Sequence, residues 1–571
     1  MDATAQPGPE AATGPESSAP HARWLAETHA VVNVGRELAD YDLYRGDAAL
    51  VDAVQREGAA WADAALEAFG RMAGAADYLE LGVQANHCPP ELDTHDRFGR
   101  RVDLVRYHPA YHALMRSAIG HGLHASPWTQ PRAGAHVARA AALYMQSQVD
   151  AGHICPVTMT FAALPALRTT PALAASWEPR ITAPVYDPRN VPSADKAGLT
   201  IGMAMTEKQG GSDVRANTTR AYPLGTARGA GAAYELVGHK YFVSAPMCDA
   251  FLVLAQAPAG LSCFLLPRWR PDGSKNPLQL LRLKRKMGNV SNASSETELR
   301  GALAWMVGDE GRGVRTIIEM VALTRFDCMV ASAAAQRAAV AQAVHHCGLR
   351  AAFGRPLREQ PLMRNVLADL ALEHEGALAL ALRVARALDA QGNPHEDALV
   401  RLLTPVGKYW VCKRTPQHAA EAMECIGGSG VMDDGPLARL YREAPVNAIW
   451  EGSGNVQCLD VLRAMHRDPA VVDALLAELD AARGVDRHLD RWTCALRAEL
   501  ADPDELEFRA RGLVERIALA LQGALLVRGA PAAVADAFCA SRLGGVGGRH
   551  YGALPRGVDA AAIVARAAPQ A

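Results

Sequence analysis

Apolar and polar residues follow several different periods along this chain of 571 residues. From about residue 23 to about 190, apolar residues recur at three- and four-residue intervals, as in ALVDAVQREGAAWADAALEAFGRM at 49–72. This spacing gives each helix one apolar face for packing. It predicts an N-terminal helical domain over residues 23–195.

The period changes between about residues 200 and 305. Short apolar or alternating runs in this region are bounded by glycine, proline and aspartate residues, a pattern typical of β-strands and the turns between them. A central β domain over residues 196–307 is therefore predicted. Its candidate strands are YELVGHKYFVS (234–244), AFLVLAQA (250–257), LSCFLLPRW (261–269) and LQLLRLKRK (278–286).

The helical period returns after Gly311 and Gly313. Proline and glycine residues divide the following region into long segments, and four long antiparallel helices pack naturally as a bundle. The sequence thus predicts a helical bundle domain over residues 308–467. Its helices are expected at about 314–350, 362–390, 395–426 and 436–466.

A C-terminal helical extension is predicted over residues 468–545, followed by a flexible Gly, Arg and Ala tail over 546–571. The Pro-, Ser- and Gly-rich residues 1–22 are predicted to be disordered. The fold class is therefore mainly α with a central β domain. This order excludes the alternating βα pattern of a Rossmann fold.

The composition excludes several classes of partner. The net charge is -2, with 49% apolar and 21% charged residues, so nothing draws the whole chain to nucleic acid or membrane. Eleven cysteines stand singly, which predicts reduced thiols in the cytoplasm and no bound metal. The N-terminus lacks a signal peptide, and no apolar run is long enough to span a membrane.

The polar stretch MTEKQGGSDV, residues 205–214, contains two adjacent glycines. Thr206 and Ser212 offer hydrogen-bonding groups, and Gly210 and Gly211 let another group approach the backbone closely. This segment alone leaves two interpretations open. It is either an ordinary turn between strands or a loop that contacts a ligand.

The stretch IWEGSGNVQCLD, residues 449–460, places Glu451 between Trp450 and Gly452. An acid on a glycine-flanked turn beside apolar groups is desolvated, which raises its pKa toward the range of a general base. The alternative is a solvated glutamate at a helix start, where the helix dipole favours acids.

Two predicted helix ends carry further candidates. MECIGGSG, residues 423–430, is a glycine turn that an ordinary helix C-cap also explains. RAAFGRPL, residues 350–357, places Arg350 and Phe353 three residues apart. An arginine complementing the helix dipole and a phenylalanine packed into the bundle would give the same pattern.

Together, and in this order, these segments resemble the acyl-CoA dehydrogenase superfamily. The family's MTEPxxGSD loop corresponds to Met205–Asp213, its K-x-W-I-[ST] strand to Lys240–Ser244 and its RxxFG helix end to Arg350–Gly354. Its Q-x-x-GG turn corresponds to Glu424–Gly428, and its YEGT turn to Trp450–Ser453. The chain departs from these patterns at Lys208, Phe242 and Glu424.

The resemblance implies an FAD between the β domain and the bundle. By residue matching, the first loop contacts the flavin ring and its phosphate side, and Phe242 and Ser244 lie against the ring. The positions implied to bind the cofactor are Met205, Thr206, Gly211, Ser212, Phe242, Val243, Ser244, Arg350, Phe353, Gly428, Trp450, Gly452, Ser453 and Asn455.

The implied reaction is α,β-dehydrogenation of an acyl-CoA or a related small molecule. Glu451 matches the family's base, which removes the α proton while the β hydride passes to the flavin. The family's alternative base position corresponds to Thr324, which cannot act as a base at neutral pH. Arg350 and Phe353 are implied to reach the FAD of a neighbouring subunit, so a homotetramer is expected.

The segments TEKQGGSD, SNASSE and YREAPVNAIWEGSGN, with the extra C-terminal region, resemble the AidB-like branch of that family, which is associated with the bacterial response to DNA alkylation. This resemblance suggests an alternative function, duplex DNA binding with weak or vestigial dehydrogenase activity. From Arg463 to Arg528, however, ten arginines accompany twelve acidic residues, which makes no net basic domain.

Two local surfaces are candidates for such binding. Arg483, Arg487 and Arg491 recur every four residues and are predicted to align on one helix side, where Asp486 and Asp490 favour an ion-paired surface. The basic run Arg282–Lys286 is the second, and it is also typical of a strand edge that discourages sheet pairing.

Overall fold

The computed structural model describes residues 29–570, so the predicted disordered tail at 1–22 lies outside the described residues. The N-terminal part is largely helical, as the apolar spacing predicts. Its helices are α1 (Ala48–Arg56), α2 (Asp63–Ala73), α3 (Ala76–His87), α4 (Pro109–Gly120), α5 (Ser126–Thr129), α6 (Ala135–Val149), α7 (Ile154–Arg168) and α8 (Pro171–Ile181).

A β-hairpin interrupts these helices, and the prediction of helices alone was wrong at this point. β1 (Glu91–His95) pairs antiparallel with β2 (Arg101–Arg106). The Asp96 carboxylate closes the turn by accepting the backbone N–H groups of Phe98 and Arg100 at 2.8 and 2.9 Å. Strands this short carry little periodic signal beside long helices.

The central sheet confirms the four predicted strands and adds three more. The long β9 was missed because its alternation is weak and its burial comes from both faces. The strands are β3 (Ile201–Ala204), β4 (Arg220–Pro223), β5 (Ala233–Ser244), β6 (Ala250–Ala257), β7 (Gly260–Pro267), β8 (Leu278–Leu283) and β9 (Ser294–Val307).

This sheet closes on itself like a barrel. The strand order is β3-β6-β4-β5-β9-β7, and β8 pairs with β9. An additional antiparallel pairing joins β7, the last strand of this path, back to β6 and closes the ring of strands. The closure leaves the last residues of β5 at the rim of the barrel, beside the loop that follows β3. The site described below is built at this rim.

Long helices form a bundle against the barrel, and α9 is its central helix, buried on nearly all sides. Two short strands, β10 (Ala351–Ala352) and β11 (Arg355–Pro356), make a tight hairpin between α9 and α10. The first three predicted bundle helices are confirmed. The bundle helices are α9 (Gly313–Leu349), α10 (Pro361–Asp389), α11 (Pro394–Ile426), α12 (Pro436–Glu443) and α13 (Gly454–Arg467).

The fourth predicted bundle helix, at 436–466, is in fact two helices. α12 ends at Glu443, a short 3-10 turn follows, and α13 begins at Gly454. Glu451 and Gly452 between them have φ angles of +57° and +98°, which a continuous right-handed helix cannot contain. The break places Glu451 on a turn instead of on a helix face.

The C-terminal extension packs on the bundle through α16, which contacts α10, α11 and α13. Its shorter helices cover the sides of α16. The helices of the extension are α14 (Ala470–Asp480), α15 (Arg487–Ala501), α16 (Leu506–Gly529) and α17 (Ala532–Phe538).

The predicted flexible tail at 546–571 contains a packed helix, α18 (Ala560–Ala567), which corrects that expectation. Asp559 caps the helix by accepting the N–H of Ala562, and Ile563 is fully buried against the bundle. Arg337 of α9 also donates to the Ala567 carbonyl at 2.7 Å. The apolar face, the cap and the Arg337 contact together fix this segment, although its Gly, Arg and Ala composition is typical of a flexible tail.

Two general expectations can be compared with the structure. All eleven cysteines are free thiols, and most of them are buried. Among residues 29–570, none of the helices combines the length and the apolar character needed to span a bilayer.

Candidate functional site

The loop after β3 is anchored by an ion pair between Glu207 and Lys240, two motif residues whose pairing was not predicted from the sequence. Glu207 is fully buried, and its carboxylate accepts a hydrogen bond from Lys240 Nζ of β5 at 2.9 Å. It also accepts the backbone N–H groups of Thr218 and Thr219 at 2.7 and 3.1 Å. Burial alone would raise the pKa of Glu207, but Lys240 and these hydrogen bonds lower it below the ordinary value.

This anchor fixes the predicted ligand-contacting residues of the loop. The Thr206 carbonyl accepts the Tyr241 N–H at 2.8 Å, which holds Met205 and Thr206 beside the end of β5. Gly211 packs closely on Thr206, because a Cβ at position 211 would lie 2.5 Å from Thr206 Oγ1. Ser212, further along, is exposed. The loop therefore has a fixed shape and presents small and hydroxyl groups outward.

The end of β5 presents an open aromatic ring. Phe242 is 45% exposed, whereas the next residue, Val243, is buried in the barrel. The Ser244 hydroxyl lies 3.3 Å from the Ser294 hydroxyl of β9. The predicted positions on β5 thus divide into an exposed ring, a core residue and a polar group at the rim.

The basic run Arg282–Lys286 is largely used inside the protein. Arg282 and Lys284 both pair with the Glu296 carboxylate, at 2.6 and 2.7 Å. Lys286 donates to the Asn292 carbonyl at 2.6 Å. These contacts make it a poor nucleic-acid surface and favour the structural interpretation.

The turn between α12 and α13 holds Glu451. Thr324 Oγ1 of α9 donates to Glu451 Oε2 at 2.8 Å. Burial raises the pKa of Glu451 above its ordinary value, while the Thr324 hydrogen bond and the charges of Lys408 and Arg325 act in the opposite direction. A buried carboxylate that accepts one hydrogen bond and has a raised pKa has the character of a general base.

Cys155 of α7 shows that β5 and the Glu451 turn meet at one place. Burial raises the pKa of its thiol to about 12, and its electrostatic neighbours include Ser244, which lowers that pKa, and Glu451, which raises it. The structure therefore brings the predicted flavin-contacting serine and the predicted base to the same junction. Cys155, which no motif marks in the sequence, also lies at this junction, together with Thr324, the position that the family resemblance matches to an alternative base.

Side chains from α9 and α11 hold the backbone of the Glu451 turn. Lys408 of α11 donates to the carbonyls of Trp450 and Gly452 at 2.7 and 2.6 Å. Arg325 of α9 donates to the Glu451 carbonyl at 2.9 Å. The signal that could have indicated Lys408 is a single lysine in the apolar run TPVGKYWVC of a chain with few lysines.

The predicted positions that follow Glu451 lie at the start of α13. Ser453 is the N-cap residue, although its side chain makes no capping hydrogen bond. Asn455 Oδ1 accepts a hydrogen bond from Arg511 Nε of α16 at 2.8 Å. The C-terminal extension therefore contacts the edge of the site.

Arg350, Phe353 and Gly428 lie apart from Glu451 within one chain. Thr324 and Phe353 are separated by most of α9, which at 1.5 Å per residue is about 38 Å. Gly428 lies at the same end as Phe353, because Cys347 of α9 contacts the backbone at the end of α11. Phe353 is 98% exposed at the tip of the β10–β11 hairpin. The structure thus forms two separate groups from the predicted site residues.

The arginine surface of the extension differs from the prediction. α15 begins at Arg487, so Arg483 lies in the preceding turn and does not align with Arg487 and Arg491. The predicted ion pairs are also absent from the described residues. Asp486 instead caps α15 by accepting backbone N–H groups, and Asp490 accepts the N–H of Gly484.

Comparisons with known proteins identify the class that this fold and junction define. Residues 202–302 match the family described as acyl-CoA dehydrogenase, middle domain, and residues 311–466 match acyl-CoA dehydrogenase, C-terminal domain. The barrel rim and the Glu451 turn both lie within these segments. The protein is an acyl-CoA dehydrogenase-like flavoprotein, an oxidoreductase of the class that acts on CH–CH bonds.

Within that class the N-terminal part is specific. Residues 33–188 match the family described as adaptive response protein AidB N-terminal domain. The chain is 46% identical to the AidB protein of Escherichia coli (strain K12) over 524 residues, which are 91% of this chain and 96% of that protein. The chain therefore belongs to the AidB-like branch of the acyl-CoA dehydrogenase family.

Two solved structures are similar in fold to this protein over most of its length. Caenorhabditis elegans ACDH-11 in complex with C11-CoA superposes with a TM-score of 0.81 at 28% identity, covering 92% of this chain and 93% of that one. The apo form of Bd2924 gives a TM-score of 0.80 at 29% identity and covers 87% of this chain and 99% of that chain. Butyryl-CoA dehydrogenase of Megasphaera elsdenii, at 19% identity and a TM-score of 0.54, shares the fold.

Proposed function

We propose that the protein is an FAD-dependent dehydrogenase that removes the α proton of an acyl thioester with Glu451. The observation that carries this proposal is the junction of Glu451 with Ser244 around Cys155. The raised pKa of the Glu451 carboxylate supports its proposed role as the base. A base must lie next to the hydride acceptor for the two transfers to act on neighbouring carbons.

The residues at the rim suit a cofactor with a planar ring and a polar chain. Within residues 29–570, the hydroxyls of Thr206, Ser212 and Ser453 donate to no protein acceptor. The exposed Phe242 ring offers a face for stacking. FAD, when bound, supplies the hydride acceptor. We assign these four residues, with Met205, Gly211, Val243, Ser244, Trp450, Gly452 and Asn455, to the cofactor site of one subunit.

The side chains around Glu451 prepare the proton transfer. The Glu451 carboxylate takes the α proton, and Thr324 fixes the orientation of that carboxylate through Oε2. The half-buried position of Glu451 keeps bulk water from competing for the proton. We propose an acyl-CoA as substrate, because the similar ACDH-11 structure contains C11-CoA.

We further propose a homotetramer in which Arg350, Phe353 and Gly428 reach the cofactor of a neighbouring subunit. A phenylalanine that is 98% exposed at a rigid hairpin tip is typical of a contact between chains. Gly428 also leaves open space above its Cα. The free thiols support a reducing compartment, for which we propose the cytoplasm.

The domain boundaries predicted from the sequence are retained as a proposal. Residues 196, 308 and 468 each fall between elements, in the connections before β3, α9 and α14. These connections support boundaries at those places. The predicted boundary at 546 lies between the C-terminal extension and α18. We retain it as the position of a connecting segment and not as the start of a flexible tail.

The test of this function is anaerobic bleaching of the bound flavin by a panel of acyl-CoAs of increasing chain length. Glu451→Gln should abolish bleaching and leave the flavin bound, because the amide cannot accept the proton. Glu80→Gln is the matched control, since Glu80 is an exposed glutamate on α3 whose carboxylate accepts a hydrogen bond from Gln84. If no acyl-CoA bleaches the wild-type flavin, the proposal fails.

A second function, duplex DNA binding, is favoured by one observation. Arg487 and Arg491 are exposed on α15 and pair with no carboxylate among residues 29–570, so they are available to phosphate groups. Neutralising both should weaken binding and reduce its salt dependence. The control is Arg497→Ala, because Arg497 pairs with Asp480 at 2.6 Å. Equal binding by all variants would reject this surface.

A further inference from the structure

Three consecutive carbonyl groups around Glu451 point at side chains from other elements. Lys408 Nζ donates to Trp450 and Gly452 at 2.7 and 2.6 Å. Gln457 Nε2 donates to Glu451 and Gly452 at 3.0 and 2.9 Å. The three carbonyl groups of the turn are therefore held by side-chain donors.

The turn needs such support because Glu451 adopts a left-handed conformation. Its φ angle is +57°, a region that residues other than glycine rarely occupy. Such strained conformations persist where surrounding contacts hold the backbone in place. In this conformation the carboxylate of Glu451 accepts the hydrogen bond of Thr324.

Lys408 differs from the other groups that hold the turn because its positive charge has no paired carboxylate among residues 29–570. Arg325 is paired with Asp460 at 2.7 Å, and Gln457 is neutral. Lys408 is only 1% exposed, and among residues 29–570 no carboxylate lies within ion-pair distance of its Nζ. The Glu451 carboxylate is the anion on the turn that Lys408 holds. In a poorly hydrated site, charges of opposite sign interact strongly even beyond contact distance.

We propose that Lys408 is a positioning residue for Glu451, which fixes the left-handed turn through two carbonyls and stabilises the ionised carboxylate through its charge. This inference rests on the proposed function for the role of Glu451 as a base. The electrostatics of the site agree, because Lys408 opposes the burial that raises the pKa of Glu451. The two hydrogen bonds from Lys408 to the turn support the positioning role independently of that pKa.

The experiment titrates Glu451 directly in the holoenzyme, without substrate. Infrared difference spectra between each protein and its Glu451→Gln counterpart isolate the protonated carboxyl band, which is followed from acid to alkaline pH. Lys408→Met should move the midpoint upward by about one pH unit or more, because it removes a nearby opposite charge. Lys408→Arg, which keeps the charge, should titrate close to the wild type.

Lys413→Met is the matched control, since Lys413 is an exposed lysine five residues further along α11. Should Lys408→Met not fold, Lys408→Gln removes the charge and keeps a donor, and the same upward movement of the midpoint is expected. An unchanged midpoint in the folded neutral variant, or an equal change in Lys413→Met, overturns the proposal. The titration is readable whether or not any acyl-CoA bleaches the flavin, so failure of the proposed function would be seen separately.

Discussion

Thr324 Oγ1 donates a 2.8 Å hydrogen bond to Glu451 Oε2 and thereby joins the central helix of the bundle to the turn that carries the proposed base. The next residue, Arg325, donates to the backbone carbonyl of the same glutamate. Helix α9 therefore controls both the side chain and the main chain of Glu451. The position that the family resemblance matches to an alternative base therefore supports Glu451, the proposed base, in this protein.

Thr324→Val should lower the ionised fraction of Glu451 at moderately acid pH and so slow flavin reduction there. The hydrogen bond lowers the pKa of Glu451, so its loss should raise that pKa further. Because the base must be ionised, the rate of flavin reduction by an active acyl-CoA should rise with pH later than in the wild type. At acid pH, where the ionised fraction limits the rate, a pKa higher by one should slow flavin reduction about tenfold.

The measurement is the pH profile of anaerobic flavin reduction, and Thr324→Ser is the control because it keeps the hydroxyl. Serine should restore most of the wild-type profile. A valine variant whose profile coincides with that of the wild type would show that the Thr324 hydrogen bond does not tune the base.

Glu207→Gln should reduce cofactor retention. The substitution leaves Lys240 buried without its anion and weakens two backbone hydrogen bonds, and breaking such a buried pair costs about 3–5 kcal/mol. The loop that carries Thr206 and Ser212 should then lose its fixed shape. The ratio of flavin to protein after purification, measured by absorbance, should be lower than in the wild type.

The control for this change is Lys208→Met in the same loop. Lys208 is exposed, and its contact to His239 is made by the backbone N–H, so the variant should keep its flavin. Full retention of flavin by a folded Glu207→Gln protein would contradict the anchoring role of the buried pair.

The sequence allowed much of the fold to be predicted, and the reasons are local. Glycine and proline punctuation located β5 to β8, and long apolar periods located α9, α10 and α11 within one or two residues of their observed bounds. The β1–β2 hairpin and the packed helix α18 were not predicted, because short segments give weak periodic signals. Their structure depends on caps and on contacts with distant helices.

The site was predictable only where motifs mark it. Glu451 stood out through its glycine-flanked turn, but its left-handed conformation depends on Lys408 and Arg325, which lie far away in sequence. The broken helix around Glu451 was missed for the same reason. Neither the Glu207–Lys240 pairing nor the place of Cys155 follows from local sequence, because both need the barrel to be closed.

Glu443→Gln should remove a pH-dependent loss of stability. Burial raises the pKa of Glu443 to about 7, against an ordinary value near 4.5, although its carboxylate accepts the Asn289 N–H. Between these values the folded state holds a proton that the unfolded state has lost. The stabilisation is therefore complete below about pH 4.5 and is lost as pH rises through about 7.

Glutamine imitates the protonated form, so the variant and the wild type should unfold at similar temperatures near pH 5. Near pH 8 the variant should be more stable by roughly 1–3 kcal/mol. Thermal unfolding at both pH values measures the difference, with exposed Glu424→Gln as the control. A difference that stays constant with pH would show that Glu443 is ionised in the folded protein at both values.

Phe353→Gly should separate cofactor binding from folding. Phe353 has a φ angle of +51° and is 98% exposed, so it contributes little to packing within its own chain. Glycine adopts this backbone conformation without strain, and the stability of the subunit should be unchanged or rise by up to about 1 kcal/mol. If the ring instead contacts the FAD of a neighbouring subunit, flavin retention should fall in a protein that folds at least as well.

Phe98→Ala is the matched control, because it removes an exposed aromatic ring from the tip of the β1–β2 hairpin. This variant should keep its flavin. Thermal unfolding, flavin content and the mass of the assembly in solution distinguish the outcomes. A Phe353→Gly protein that loses flavin while its unfolding temperature holds would place the ring at the cofactor of another subunit, because its own Glu451 lies at the far end of α9. Equal flavin retention in both variants would remove Phe353 from the cofactor site.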